Sequence, residues 1–154
     1  MARKDSAVLH FDNDLANRQT LLDVVDAFCR RAGGDEQGVG RIRLALDELF
    51  TNIVSYAYDD DGSHRITVEL LRSPAGMVTI TLIDDGRAFN PLDQPPPDLD
   101  SDIEDRAIGG LGIHLVKTFT DSCDYRRDGD TNRLTITKGF GQARPGREKE
   151  GRAR

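Results

Sequence analysis

The segment LDELFTNIVSYAY, residues 46–58, sets the architecture of this chain. Its apolar residues recur at the spacing of an amphipathic α-helix, which places one apolar stripe against a core. Together with a residue one turn earlier, the stripe consists of Ile42, Leu46, Leu49, Ile53 and Tyr56. The pattern predicts a helix from Arg41 to about Tyr58, and the run Asp59-Asp60-Asp61-Gly62 ends it.

Two polar residues of this helix, Glu48 and Asn52, flank the apolar stripe. Because they are four positions apart, their side chains lie one turn apart on the same helical face. An amide oxygen can coordinate Mg²⁺, a cation that takes oxygen ligands and keeps several waters. A carboxylate beside it can accept a proton from an attacking hydroxyl or water. In isolation, the pair is also typical of the solvated side of an amphipathic helix.

A second block, ITLIDDG at residues 80–86, is a strand that ends in two acids and a glycine. Asp84 at such an end can accept a hydrogen bond from the exocyclic amino group of adenine, and Gly86 lets the backbone approach a flat ring. Leaving a buried carboxylate unpaired costs about 1–3 kcal/mol or more, so discrimination there would be steep. The alternative is a plain turn, since Asp-Gly is a common turn dipeptide.

A third block, GGLGI at residues 109–113, opens the last predicted helix. Free N–H groups at a helix N-terminus, with glycines that permit close approach, can bind phosphate. The block lacks the Gly-Lys-Ser/Thr ending of a P-loop and does not match the dinucleotide pattern GxGxxG. A flexible hinge is the alternative interpretation.

The other predicted elements alternate around these blocks. They are a strand at 8–11, a helix at 14–31, Asp35 as a candidate N-cap, strands at 65–72 and 77–84, a helix at 111–120, and strands at 123–127 and 133–140. Residues 89–108 are rich in Pro and Asp and predict a long loop, which in compact domains often serves as a lid. The order predicts an α+β fold, a two-layer α/β sandwich whose mixed, mostly antiparallel sheet is covered on one face by three helices. The domain is expected to span 8–141, with 142–154 as a flexible tail.

Composition narrows the function classes. The chain has 154 residues and a formal net charge of −6, which argues against direct nucleic-acid binding because that work needs clustered Lys and Arg. No apolar run approaches the roughly 20 residues of a membrane span, and no signal-peptide pattern follows Met1. Cys29 and Cys123 lack metal-ligand spacing, which is typical of reduced thiols in a cytoplasmic protein.

Taken together, the three blocks resemble the N, G1 and G2 boxes of the Bergerat-fold (GHKL) ATPases, the superfamily of gyrase, Hsp90, histidine kinases and MutL. Within it, the chain is similar to the anti-sigma factor serine/threonine kinases of the RsbW and SpoIIAB type. The matching segments are 46–58, 84–91, 109–116 and 132–138, and the likeness covers about residues 8–140. It implies an ATP–Mg²⁺ site in a histidine kinase-like ATPase fold, closed by the loop at 89–108.

The resemblance also implies roles for individual residues. Asn52 would hold Mg²⁺, Glu48 would be the general base and Asp84 would read adenine, with Thr135 supporting that contact through water. Arg87 could reach phosphate or the lid, or be solvated, and Arg106 is the candidate lid cation. The residues expected to contact the nucleotide are Asn52, Asp84, Gly86, Arg87, Ala88, Phe89, Arg106, Gly109, Gly110, Leu111, Gly112, Ile113 and Thr135.

Members of that family phosphorylate a serine on a small STAS-domain anti-anti-sigma protein and alternatively sequester a sigma factor. The resemblance therefore implies a cytoplasmic, homodimeric protein kinase with ATP and Mg²⁺ as cofactors and these two proteins as partners. The alternative is a sequestering module that binds ATP only as a structural ligand and transfers no phosphate.

Overall fold

The computed structural model describes residues 5–93 and 110–140. Three α-helices and five β-strands make up this part of the chain. The helices are α1 (Arg18–Arg31), α2 (Glu36–Tyr56) and α3 (Gly110–Phe119). The strands are β1 (Ser6–Asp12), β2 (Arg65–Arg72), β3 (Met77–Asp84), β4 (Ser122–Asp128) and β5 (Thr131–Gly139). None of the helices in the described ranges is both long and apolar enough to cross a membrane.

The strands form one sheet in the order β1-β2-β3-β5-β4. All four pairings among the described strands are antiparallel, so the sheet contains no parallel pair of the kind that the mixed arrangement allowed. Two tight turns make the hairpins possible, at Gly76 between β2 and β3 and at Gly129 between β4 and β5. Both glycines have positive φ, 87° and 59°, a region that side chains with a Cβ rarely adopt.

The core lies between the sheet and the helices. Alternate residues of β3 and β5 point into it, as the period of a strand requires, and on β3 these are Val78, Ile80 and Leu82. Helix α2 is the central helix and contacts both α1 and α3. Its buried side chains are Val39, Ile42, Ala45, Leu46, Leu49 and Phe50. The expected α+β two-layer architecture is therefore confirmed.

The start of α1 differs from the expected bound, whereas α2 starts directly after the expected N-cap Asp35. The side chain of Asp14 accepts a hydrogen bond from the Ala16 amide and begins a 3-10 turn, so α1 starts only at Arg18 and Leu15 stays exposed. Helix α2 starts at Glu36, five residues before the strong periodicity. There the Asp35 side chain caps the helix by accepting from the Gly38 amide at 2.8 Å.

Candidate functional site

A cavity of about 30 Å³ lies between α2 and the adjoining ends of β3, β4 and β5. That volume is large enough for a water molecule. Its walls are mostly apolar or aromatic, with four polar residues among them. The lining residues are Leu49, Asn52, Ile53, Ala57, Asp84, Arg87, Phe89, Pro91, Tyr125, Asn132 and Leu134. A largely apolar pocket with a few convergent polar groups is the usual form of a small-molecule site.

Asp84 is the buried acid of this cavity, with 5% of its surface exposed. Its Oδ1 accepts hydrogen bonds from the Gly86 amide and from Asn132 Nδ2, both at 2.9 Å. Its Oδ2 accepts none from the described residues. Burial raises the pKa of Asp84, while the donors Asn132 and Gly86 act in the opposite direction. The cavity therefore presents one open carboxylate oxygen in apolar surroundings, which suits an N–H donor on a flat ring.

Packing inside the protein explains why residue 86 is a glycine. A Cβ at this position would lie 2.6 Å from the Cβ of Ala57, at the end of α2. The amide of the next residue, Arg87, donates to the Ala57 carbonyl at 2.9 Å. Only a glycine therefore allows the strand end to approach the helix end this closely, and the expected passage of Gly86 along a nucleobase remains a prediction.

Arg87 was expected to reach phosphate, to reach the lid or to be solvated, and the structure shows its contacts within the protein. Its Nε donates to the Tyr56 carbonyl at 2.7 Å, and its guanidinium lies 5.9 Å from the centroid of the Phe89 ring. Arg87 thus satisfies a carbonyl at the C-terminus of α2 and, with Phe89, forms one wall of the cavity. Ala88 is exposed and does not line the cavity.

Glu48 and Asn52 lie one turn apart on α2, but their side chains contact different parts of the structure. Asn52 lines the cavity, whereas Glu48 lies against the start of α3, where a Cβ at Gly112 would overlap its carboxylate. Burial, and second the charge of Asp47, raise the pKa of Glu48. A carboxylate with a raised pKa is a better proton acceptor, and the role of Glu48 as general base remains a prediction.

The N-terminus of α3 is the candidate phosphate site. Helix α3 begins at Gly110, and its first amides have no partner within the helix. The Ile113 side chain is buried in the core, so this residue can offer a phosphate only its backbone. Arg106 and Gly109 lie outside the described residues, as does the side chain of Leu111, and their expected contacts stay predictions.

The donor set fits a magnesium ion that is shared with phosphate. No group of three His, Cys, Asp or Glu residues able to hold a metal ion occurs within residues 5–93 and 110–140. Mg²⁺ does not need such a cage, because it is usually bound through one or two protein oxygens, several waters and substrate phosphates. The amide oxygen of Asn52, which lines the cavity, can supply one such oxygen, whereas the Glu48 carboxylate lies against the start of α3.

Thr135 does not lie in the cavity, and its expected contact with adenine through water is wrong. Its side chain is on the other face of the sheet, where its hydroxyl is 3.2 Å from that of Thr81, its partner in register. The β5 residue paired with Asp84 is Asn132. Asn132 and Tyr125, which also lines the cavity, were both missed from the sequence.

If Glu48 is the general base that the family resemblance implies, Gly112→Ala should reduce turnover strongly with little loss of stability. The added methyl displaces the Glu48 carboxylate, a flexible side-chain end that can move. The matched control is Gly40→Ala in α2, where a Cβ meets nothing within 4 Å. Alanine there should leave turnover unchanged and raise stability by up to about 1 kcal/mol. Steady-state turnover and thermal melts of both variants check this, and normal turnover of Gly112→Ala would contradict the Glu48 contact.

Comparisons with known proteins agree with this geometry. Residues 11–138 match the family model of the histidine kinase-like ATPase domain. The chain is 32% identical over 97 residues to serine/threonine-protein kinase BtrW of Bordetella bronchiseptica, covering 62% of this chain and 67% of BtrW. It is 27% identical to serine-protein kinase RsbW of Halalkalibacterium halodurans, covering 68% and 65%. It is 26% identical to the anti-sigma F factor of Clostridium beijerinckii, covering 86% and 92%.

Solved structures extend the likeness to the fold. The RsbU and RsbW domains of a Mycobacterium tuberculosis protein superpose with a TM-score of 0.61 at 17% identity, over 89% of this chain and 33% of that one. The histidine kinase domain of a blue-light activated kinase from Erythrobacter litoralis superposes with a TM-score of 0.52 at 18% identity, over 80% and 61%. The match to the family model covers most of the chain, and the fold agrees with it. The chain therefore belongs to the family of histidine kinase-like ATPase domains.

Proposed function

We propose that this protein is an Mg²⁺- and ATP-dependent serine-protein kinase and anti-sigma factor, which phosphorylates a STAS-domain anti-anti-sigma protein and sequesters a sigma factor. The names of its relatives, serine-protein kinase RsbW and anti-sigma F factor, support this assignment. The observation that supports it most is the joint placement of Asp84, Asn52 and Glu48. Two of them line one cavity, and the third meets the start of α3 beside it.

In the proposed complex, Asp84 would accept a hydrogen bond from the amino group of adenine, and Asn52 would hold Mg²⁺ and through it the phosphates. The metal would neutralise the charge that develops on the transferred phosphoryl group. The first amides of α3, at Gly110 and Gly112, bind phosphate oxygens. The apolar walls of the cavity, such as Leu49, would exclude water from the adenine ring.

Glu48 would perform the proton transfer. The substrate serine hydroxyl gives its proton to the Glu48 carboxylate as its oxygen bonds to the γ-phosphorus, and the bond to the β-phosphate oxygen breaks. ADP leaves with the electron pair of that bond, and the products are phosphoserine and ADP. Phosphoryl transfer needs mainly positioning and charge neutralisation, so one base and one metal are sufficient.

The cellular setting of this activity is part of the same proposal. The ATPase domain is proposed to span residues 8–141, to act as a homodimer, and to work in the cytoplasm, where sigma factors bind RNA polymerase. The curated relatives BtrW and RsbW are matched over about two thirds of their own lengths, 67% and 65%. Activity and partners are therefore proposed here from the site together with those names.

The test is a phosphorylation assay with a STAS-domain anti-anti-sigma protein as the substrate. Purified protein, Mg²⁺-ATP and the STAS protein are mixed, and phosphoserine is located by mass spectrometry. We expect one phosphoserine, no product without Mg²⁺, and none when that serine is replaced by alanine. Binding of ATP without any phosphoserine would overturn the kinase assignment and favour a module that only sequesters its partner.

A further inference from the structure

Asn132 makes every hydrogen bond that a carboxamide can make. It is 6% exposed and lies opposite Asp84 on the neighbouring strand. Its Nδ2 donates to Asp84 Oδ1 at 2.9 Å and to the Arg87 carbonyl at 2.8 Å. Its Oδ1 accepts from the Tyr125 hydroxyl at 2.5 Å and from Arg127 Nη1 at 3.1 Å. The amide is therefore fully satisfied by four partners within the protein.

These partners fix which way the amide points. In the opposite orientation, Oδ1 would face the carboxylate of Asp84 and the carbonyl of Arg87, two acceptors. The NH₂ group would then face the guanidinium of Arg127, which has only donors. Tyr125 and Arg127 thus hold the donor end of Asn132 toward Asp84. Arg127 Nη1 also donates to the Gly86 carbonyl at 2.8 Å, which joins the network to the strand end.

The network determines what Asp84 offers to a ligand. Its Oδ1 already has two donors, Gly86 and Asn132, so the open hydrogen-bonding position within the described residues is Oδ2. While Asp84 is ionised, Oδ2 can only accept. It then attracts an amino group at position 6 of a purine and repels an oxo group at the same position.

We propose that Tyr125, Asn132 and Arg127 are positioning residues that set the preference of this site for 6-aminopurine over 6-oxopurine nucleotides. The inference rests on the proposed ATP site and deepens it. Losing the Asn132 donor removes a bond that favours the ionised form, so Asp84 takes up a proton more readily. A protonated carboxyl can rotate and donate to a 6-oxo group, which relaxes the selection.

The experiment compares the affinities of ATP and ITP by calorimetric titration. ITP carries an oxo group where ATP carries the amino group. We expect the ratio of the two affinities to fall by about tenfold or more in Asn132→Ala and by several-fold in Tyr125→Phe. The matched control is Tyr58→Phe, which removes a hydroxyl that donates to the neighbouring acid Asp85 at 3.1 Å and should leave the ratio unchanged.

The outcomes distinguish failure of this inference from failure of the function on which it rests. If both variants weaken ATP and ITP by the same factor, the network is only structural and the inference is overturned. If Asn132→Ala does not fold, Tyr125→Phe decides, because it removes a single oxygen atom. If the unsubstituted protein binds neither nucleotide, the ATP site itself is wrong.

Discussion

Asp84→Asn is expected to abolish the binding of adenine nucleotides while the protein stays folded. The asparagine oxygen can still accept from the Gly86 amide and from Asn132 Nδ2, so the strand end keeps its two hydrogen bonds. The new NH₂ group then takes the place of Oδ2 and faces the cavity. Because it is a donor opposite the amino group of adenine, both groups lose their partners. We expect ATP affinity to fall by at least about 10²-fold.

The same substitution should leave the thermal stability equal or higher. Burial raises the pKa of Asp84 in the folded state, so the folded protein binds a proton more tightly at this site than the unfolded chain does. The resulting stability is present below the unfolded pKa and is lost as the pH rises through the folded pKa. At neutral pH the buried, ionised carboxylate therefore destabilises the folded state, and asparagine removes this destabilisation. The wild-type residue thus lowers stability at a position where function needs a charge.

The measurements are an ATP titration and a thermal melt of the variant beside Asp85→Asn. Asp85 is the adjacent, exposed acid, whose carboxylate accepts from the Tyr58 hydroxyl. This control makes the same chemical change one residue away and should bind ATP normally. An unaltered ATP affinity in Asp84→Asn would show that this carboxylate does not read the base.

The local patterns of the sequence were sufficient for the elements and for placing a few candidate residues on them, while the roles of those residues came from the family resemblance. Helix α2 was predictable because its apolar stripe repeats every turn. The spacing of Glu48 and Asn52 within α2 predicted a common helical face, but only the structure shows that Asn52 lines the cavity while Glu48 lies against α3. The placement of Asp84 at a strand end followed from the alternation of β3.

Residues whose role depends on pairing between distant segments were not predictable in the same way. Thr135 and Asn132 lie on opposite faces of β5, and a shift of one residue in register exchanges the two faces. The register between β3 and β5 is set across an intervening segment that includes α3 and β4, and no local pattern encodes it. Gly86 was read as a ligand contact, although its tightest neighbour is Ala57, which belongs to α2.

Glu48→Gln is expected to lower the rate of phosphoryl transfer by about 10²–10⁴-fold while ATP binding is retained. Glutamine keeps the shape that packs against Gly112 but cannot accept the serine proton at neutral pH. Asn52 and Asp84, which line the cavity, are untouched, so the nucleotide should bind as before. Single-turnover rates and an ATP titration separate the two effects. A variant that loses ATP binding would instead place Glu48 among the ligands of the metal.

The pH dependence supplies the control for this assignment. Burial and the charge of Asp47 both raise the pKa of Glu48, so activity should fall as the pH drops through that raised value and the base becomes protonated. Asp47→Asn removes the second cause, and its acid limb should move to lower pH with the plateau rate unchanged. Glu48→Gln should show no such limb. Two results together would contradict the assignment: an acid limb of the pH profile that does not move in Asp47→Asn, and the same limb still present in Glu48→Gln. Another group would then be the base.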